Sequence, residues 1–288
     1  MKRQSFLKGS AVLMTMVLVT KLIGMIYKVP LTNMLGGTGM SCYSGAFAIF
    51  APVFAAAAAG VPSAMSRLVS EQLALGRYAN AVKIKRAALL IFSAVSIAMS
   101  LALILSAHIL AARVIHVPQA KWALIGVSLS LFPAAVMNVE RGWAEGIGSM
   151  TPTASSEIAE TIFKAAFGLA LPYKVISAAR ASFEAYHGCF GHYCADMREA
   201  MMTAAPYAAA ASALGVSLAS FAACIWVFIR TRGLSRRCAR EFEHSGLPRD
   251  MGLRAACRKL RQFTLPVAMT AVVATLSATA DLVTISPQ

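Results

Sequence analysis

The stretch GSAVLMTMVLVTKLIGMIYKVPL occupies residues 9–31 and contains only two charged side chains, Lys21 and Lys28. About 18 apolar residues are enough to cross a hydrocarbon core roughly 30 Å thick. In lipid, backbone polar groups must be satisfied within the segment or by a neighbouring strand, which leaves helices and closed barrels. This run and others like it are rich in Ala, Leu, Met and Ile and lack the alternation of barrel strands. The sequence therefore predicts an all-α fold, a polytopic transmembrane helical bundle.

The composition of the whole chain also indicates a membrane protein. Hydrophobic residues make up 58% of the 288 residues and charged residues only 14%, against about 25% charged in soluble domains. The net charge of +15 is better explained by basic cytoplasmic loops than by a nucleic-acid surface, because no basic stretch is interleaved with aromatic residues. The six cysteines are scattered and do not suggest a disulfide framework. We predict no nucleic-acid partner.

Seven apolar segments can be drawn, with turn-forming residues at Leu35–Gly39, Val117-Pro118 and Thr151-Pro152. The segments run near 9–31, 42–69, 87–111, 121–147, 153–176, 204–229 and 263–285. We predict a six-helix transmembrane lobe over residues 1–229, a basic linker over 230–262 and the first helix of a second lobe over 263–288. Because paired six-helix lobes are common among transporters, we expect the chain to be the N-terminal half of a longer protein.

The distribution of basic residues predicts the orientation in the membrane. Lys2, Arg3 and Lys8 precede the first segment, and residues 230–261 hold ten basic residues against three acidic ones. The alternate loops are poorer, since 32–41 carries no charge. The positive-inside rule then places the N-terminus and the linker in the cytoplasm. We expect a multi-pass protein of the cytoplasmic (inner) membrane of a bacterium.

Several short motifs go beyond a generic membrane protein. They are FLKG at 6–9, TKLIGMIYKVPLTN at 20–33, LGGTGM at 35–40, AGVP at 59–62, SE at 70–71, GRY at 76–78, RGW at 141–143 with Gly146, and MTPTA at 150–154 with Glu157. Together they resemble the stage V sporulation protein B-like branch of the polysaccharide exporters. These belong to the multidrug/oligosaccharidyl-lipid/polysaccharide exporter superfamily. The resemblance covers residues 5–176 well and thins beyond them.

The resemblance implies a flippase that moves a lipid-linked saccharide, a cell-wall or polysaccharide precursor, across the membrane by alternating access between two lobes. Peptidoglycan synthesis and sporulation are the associated processes, and the partners implied are the lipid-linked saccharide, membrane lipids and a coupling ion. Two alternatives stay open, namely a cation-coupled multidrug exporter of the same superfamily, and a half-length fragment that transports nothing without a second lobe or a homodimer. No phosphate-binding loop and no set of nucleophile, histidine and acid can be assembled, so we predict neither an enzyme nor a cofactor.

Charges inside membrane helices are the main candidates for substrate contact, because each costs several kcal/mol unless it faces a cavity or a partner. Lys21 lies near the middle of the first segment, where its ammonium is suited to a phosphate, and Lys28 follows two turns later on nearly the same face. The alternative is that these lysines snorkel to the interface or form structural pairs. The full set of cavity candidates is Lys21, Lys28, Asn33, Glu157, Glu160 and Lys164.

Other charged residues suggest ion pairs. Glu160 and Lys164 are spaced for an i,i+4 pair, with Glu157 one turn before, where an intramembrane carboxylate could also couple to an ion. The i,i+4 pairs Arg67 with Glu71 and Arg141 with Glu145 are candidates for a gate or an interfacial ion pair. Asp281 would find its partners in a second lobe.

The stretch HGCFGHYC at 187–194 holds four possible zinc ligands, but its spacing matches no structural zinc site. We predict a variable external loop there and no metal.

Overall fold

The structure is a computed structural model that describes residues 6–194, 196–242 and 253–285. Its elements are α1 (Phe6–Phe54), a π-helical turn (Ala55–Ala59), α2 (Val61–Ala74), α3 (Tyr78–Arg113), a 3-10 turn (Pro118–Ala120), α4 (Lys121–Ser128), α5 (Leu131–Gly146), α6 (Thr151–Tyr186), β1 (Gly188–Cys189), β2 (His192–Tyr193), α7 (Met197–Phe242) and α8 (Leu253–Ile285). The prediction of an all-α bundle is confirmed. The exception is a ribbon in which β1 pairs antiparallel with β2.

Five helical stretches among the described residues are long and apolar enough to cross a membrane. They are Leu13–Ala74, Tyr78–Arg113, Pro118–Gly146, Thr151–Tyr186 and Met197–Arg236. The first contains 62 residues, about 93 Å at 1.5 Å per residue, which is long enough for two crossings of a core of about 30 Å. The prediction of a polytopic membrane protein is therefore confirmed.

At the turn predicted over Leu35–Gly39, only one residue leaves the helical conformation. Two helices meet at Gly36, whose φ of 62° and ψ of −173° are not helical, and α1 continues on both sides. Only glycine adopts this region of backbone space without strain. The breaks predicted at Val117-Pro118 and Thr151-Pro152 coincide with helix ends, because proline is tolerated in the first turn of a helix.

Several helices are longer than their apolar segments. The structure extends α6 from Thr151 to Tyr186 and α7 from Met197 to Phe242, so α7 enters the predicted linker. Within that linker only residues 243–252 lie outside the described residues. The reason is physical: hydropathy marks the part of a helix that lies in lipid, whereas hydrogen bonding continues the helix into water until a breaker stops it.

The two largest hydrophobic cores among the described residues hold the bundle together. One joins the second half of α1 to the end of α3, α4 and α7, with Leu35, Phe50 and Leu124 among its buried residues. The other joins α2, the start of α3 and α5, with Met65 and Trp143 buried and Leu260 of α8 packed against them.

Close helix contacts depend on glycine at two positions of α5. A Cβ on Gly142 would lie 2.6 Å from the Cβ of Met65 and 2.7 Å from the carbonyl oxygen of Pro62, and a Cβ on Gly146 would lie 2.6 Å from the Cβ of Val69. Gly142 and Gly146 form a G-x-x-x-G pattern, which lets two membrane helices approach closely. This pattern holds α5 against α2.

Helices α1 and α6 run in the same direction. Met16 shares a cavity with Thr151 and Ala154 at the start of α6, while the hydroxyl of Tyr27 lies against Gly168, well into α6. The N-terminal part of α1 therefore packs side by side with the first two-thirds of α6.

Candidate functional site

A buried cluster of charges joins α5 to α6. The guanidinium of Arg141 donates to the Oε2 of Glu160 at 2.8 Å and, through Nε, to the hydroxyl of Ser156 at 2.8 Å. The ammonium of Lys164 lies 2.6 Å from the Oε1 of Glu160. Each oxygen of Glu160 thus has its own cation. This arrangement neutralises the carboxylate where α5 and α6 pack together, which suits a rigid joint between the two helices.

A second buried cluster joins α3, α5 and α7. Glu140 is fully buried, and its Oε2 accepts from the ammonium of Lys85 at 2.7 Å and from the hydroxyl of Thr231 at 2.6 Å. The same ammonium lies 5.1 Å from the ring centre of Trp143, whose indole N–H donates to Ser235 at 2.8 Å. The Oε1 of Glu140 has no hydrogen-bond partner in the described part of the chain.

The sequence analysis did not single out Glu140 or Lys85. The available signal was that Glu140 is a charge inside the fourth apolar segment, which marks a residue of interest by default. Lys85 lies just before the third apolar segment, which was predicted to run near 87–111. The structure starts α3 at Tyr78 and so places Lys85 on the helix, facing α5.

The lysines of α1 are not part of either cluster. Lys21 and Lys28 are both exposed. The half-buried positions of this helix form a stripe that faces the bundle, at residues 13, 16, 20, 23, 24 and 27. Because Lys21 and Lys28 are two turns apart, they lie on one flank of that stripe. The structure brings the two lysines to a common surface of the described bundle, and their predicted contact with substrate stays a prediction.

Asn33 lies apart from the other cavity candidates. It lines a cavity of about 480 Å³ formed by the region around Gly36 in α1, by α6 from Tyr173 to Arg180, and by the start of α7. Glu157 is half-buried on α6 and has no ion pair among the described residues. The predicted candidates therefore separate into the α1 flank, the cluster at Glu160 and this cavity.

The predicted partners of the two proposed gate pairs are wrong. Arg141 binds Glu160 rather than Glu145, and the carboxylate of Glu145 accepts from the hydroxyl of Thr153 at 3.1 Å. The i,i+4 spacing permits the Arg141–Glu145 pair, but the guanidinium of Arg141 reaches across to α6, where both Glu160 and Ser156 accept its hydrogen bonds.

Arg67 and Glu71 likewise contact α8 rather than each other. The guanidinium of Arg67 lies 4.5 Å from the ring centre of Phe263, and Glu71 pairs with Lys259 at 3.1 Å. Both contacts hold the end of α2 against α8. The side chain of Asp281 lies outside the described residues.

The stretch predicted to be an external loop forms the ribbon between α6 and α7. Cys189 in β1 and Cys194, which directly follows β2, are buried in a small core with Ala179 and Ala200. Burial raises the pKa of the Cys189 thiol, and the neighbouring Cys194 raises that pKa further. No three metal-binding side chains come together within the described ranges, and the side chain of His192 is outside them.

Residues 6–185 match the model of a family described as polysaccharide biosynthesis protein. The chain belongs to this family. The match includes α1 to α6 almost entirely. The α1 lysines and the charged residues of both clusters therefore lie within the matched region. Thr231 on α7 falls beyond it. The resemblance predicted from the motifs is confirmed.

Two curated proteins from Bacillus subtilis (strain 168) are similar to this chain. Lipid II flippase MurJ is 26% identical over 202 residues, which cover 64% of this chain and 37% of MurJ. Stage V sporulation protein B is 26% identical over 164 residues, which cover 57% of this chain and 32% of that relative. The chain thus spans about a third of the length of the curated relatives it matches. No solved structure matches it.

Proposed function

We propose that this protein is part of a flippase that moves a lipid-linked saccharide across the cytoplasmic membrane by alternating access. The observation that carries the proposal is the family match over residues 6–185, together with the similarity to a protein named as a lipid II flippase. Five helices capable of crossing a membrane fit a transporter. In this proposal the protein is not an enzyme, and its N-terminus lies in the cytoplasm.

The substrate path runs along the flank of α1 that carries Lys21 and Lys28. A lysine exposed on a membrane helix is costly against lipid tails, so this flank is expected to face water or a second lobe. The two ammonium groups sit about 10 Å apart along the helix, and each supplies a point charge for the pyrophosphate of a lipid-linked sugar. They offer successive positions for the phosphates while the lipid tail stays in the bilayer.

The two buried charge clusters serve the movement of the lobes rather than the binding of the substrate. Glu160 and Glu140 each tie helices together through ion pairs that are mostly buried. Such pairs keep α3, α5, α6 and α7 moving as one body when the lobes rock. Half-buried Glu157, which lacks an ion pair in the described part, is the candidate for binding a coupling cation.

The proposal is tested by reconstituting the full chain into liposomes with a fluorescent undecaprenyl-pyrophosphate-linked saccharide. Transfer between leaflets is measured by protection of the fluorophore from dithionite. We expect Lys21→Ala and Lys21→Glu to lower the rate by about tenfold or more, and Lys21→Arg to retain part of it, because Arg keeps the charge. Lys174→Ala removes an exposed lysine of α6 and is the matched control, with an expected rate near wild type.

Transport by Lys21→Glu at the wild-type rate would refute the role of this residue. A wild-type chain that moves no saccharide lipid alone, but does so with an added second lobe or as a homodimer, would favour the half-length alternative. Efflux of cationic dyes with no saccharide transfer would favour the multidrug exporter. Imposing sodium or proton gradients on the wild type and on Glu157→Gln identifies the coupling ion.

A further inference from the structure

The bilayer can be placed on the helices from exposed aromatic residues. Tyr207 and Trp226 are both exposed on α7 and are separated by about 29 Å along the helix, which equals the thickness of a hydrocarbon core. Trp226 shares a cavity with Thr151 at the start of α6. Tyr173 is exposed on α6 about 33 Å beyond Thr151. Tyrosine and tryptophan favour the membrane–water interface, so Tyr173 and Tyr207 mark the interface opposite the N-terminus.

The cavity of about 480 Å³ lies at this interface. Its polar lining consists of Asn33, Thr38, Tyr173, Ser177, Arg180 and Arg198. Its volume is in the range of sites for small molecules and headgroups. Since Arg180 is about 10 Å beyond Tyr173 along α6, its guanidinium is at the depth of the lipid headgroups rather than of the tails.

The charge in this cavity is unbalanced. Arg180 comes from α6 and Arg198 from the first turn of α7, and neither guanidinium has an ion pair or hydrogen bond to another described residue. No acidic residue of the described chain lines the cavity. Two cations that converge on one concave surface repel each other unless an anion lies between them. The cavity is therefore suited to a negatively charged ligand.

The break in α1 adds neutral donors to the same surface. The second helix of α1 begins after Gly36, and Gly37 and Thr38 of its first turn line the cavity. Backbone N–H groups in the first turn of a helix have no helical acceptor and favour an anion. Nothing lies within 4 Å of the Cβ position of Gly36 or Gly37, so a ligand can approach this backbone.

We propose that this cavity binds the phosphate group of a lipid headgroup at the interface opposite the N-terminus. Phosphate is the anion that lipid headgroups present at this depth, and a guanidinium binds it through paired hydrogen bonds. The phosphate could come from an anionic phospholipid of the bilayer or from the pyrophosphate of a lipid-linked saccharide. The site goes beyond the transport proposal, since it requires no movement of lipid between leaflets.

The site is tested by measuring which lipids the 288-residue chain retains. The chain is purified in detergent, and native mass spectrometry measures its affinity for phosphatidylglycerol, for undecaprenyl pyrophosphate and for digalactosyldiacylglycerol, which has no phosphate. We expect wild type to prefer the phosphate lipids and Arg180→Ala/Arg198→Ala to bind them about tenfold more weakly, with Arg180→Lys/Arg198→Lys in between. Arg113→Ala removes an exposed arginine from the end of α3, outside the cavity, and should bind like wild type.

The two lipids distinguish the source of the phosphate. Loss of phosphatidylglycerol binding alone assigns the site to a bilayer lipid, loss of undecaprenyl pyrophosphate binding alone assigns it to the saccharide carrier, and loss of both assigns it to phosphate from either. Wild-type affinity of the Arg180→Ala/Arg198→Ala variant for both lipids would overturn the proposal, as would an equal loss in Arg113→Ala. An unchanged thermal midpoint shows that the variants are folded. Lipid retention is measured without transport, so this result and the flippase result can fail independently.

Discussion

Each buried carboxylate that the structure pairs inside the bundle is matched to specific cations or hydroxyl groups. Glu140 is the clearest case, because it is fully buried between Lys85 and Thr231. Taking such a charge out of water is expensive, and its partners compensate only while both are present. Removing one partner should therefore destabilise the protein far more than removing both.

We predict that Glu140→Ala lowers the free energy of unfolding by about 3–5 kcal/mol, because it leaves the ammonium of Lys85 without its counter-ion in a mostly buried position. The double variant Lys85→Met/Glu140→Leu should recover most of that loss. The matched control is Glu71→Ala, which removes one partner of the half-exposed pair with Lys259 and should cost about 0–1 kcal/mol. Equilibrium unfolding in mixed detergent micelles measures all three, and equal losses in Glu140→Ala and Glu71→Ala would contradict the prediction.

Of the three ion pairs suggested by i,i+4 spacing, the described structure contains only that of Glu160 with Lys164, and the pairs between helices were not predicted. The i,i+4 spacing of Glu160 and Lys164 was enough to predict their contact, which the structure contains. The contact of Arg141 with Glu160 crosses from α5 to α6, and that of Lys85 with Glu140 joins residues 55 apart in the chain. Spacing carries no information about which helices face each other, so these partners could be identified only from the packing.

At the scale of the elements, close packing in this bundle depends on glycine residues, which have no side chain to hold two helices apart. Lipid tails are as apolar as leucine, so burial alone does not drive membrane helices together, and close backbone contact has to do so. Gly142 and Gly146 supply that contact between α5 and α2, with Gly142 against the backbone of Pro62. Both glycines belong to the motifs that carry the family resemblance, but their packing role was not predicted from the sequence.

We predict that Gly142→Ala lowers the free energy of unfolding by about 1–3 kcal/mol, because the new methyl group would overlap Met65 and Pro62 and push α5 away from α2. Adding Met65→Ala should not relieve the loss, since the overlap involves the Cβ of Met65 and the backbone of Pro62. Gly24→Ala is the control: nothing lies within 4 Å of its Cβ position, and alanine should raise helix stability by up to about 1 kcal/mol. Thermal unfolding in detergent compares them, and full rescue by Met65→Ala would contradict the proposed overlap.

Helix ends were predicted with uneven success for a related reason. The breaks predicted at Pro118 and Pro152 coincide with helix starts, because both prolines stand in a first turn, where proline is tolerated. The glycine-rich stretch at 35–39 was expected to be a turn, yet only Gly36 leaves the helix. Glycine permits a break without requiring one, so its effect depends on the packing around it.

For the whole molecule, the exposed aromatic residues and the basic residues give two independent indications of the membrane. Exposed Tyr207 and Trp226 indicate where the bilayer lies along α7, without indicating which side is the cytoplasm. The ten basic residues of 230–261 predict the direction, because loops rich in Lys and Arg are generally cytoplasmic. Taken together, they predict that the ribbon between α6 and α7 lies on the outside, at the far end of helices that extend beyond the hydrocarbon core.

We predict that an epitope tag inserted after Gly191, in the turn of this ribbon, is bound by antibody on intact spheroplasts. The same tag inserted after Gly246, within the basic segment, should be bound only after permeabilisation. Gly191 is exposed and nothing lies within 4 Å of its Cβ position, so the insertion leaves the packing of α6 and α7 unchanged. Flow cytometry of the two tagged proteins, each with and without permeabilisation, measures the orientation. The reverse pattern would invert the protein in the membrane, and the lipid phosphate site at Arg180 and Arg198 would then take its ligand from the cytoplasmic leaflet.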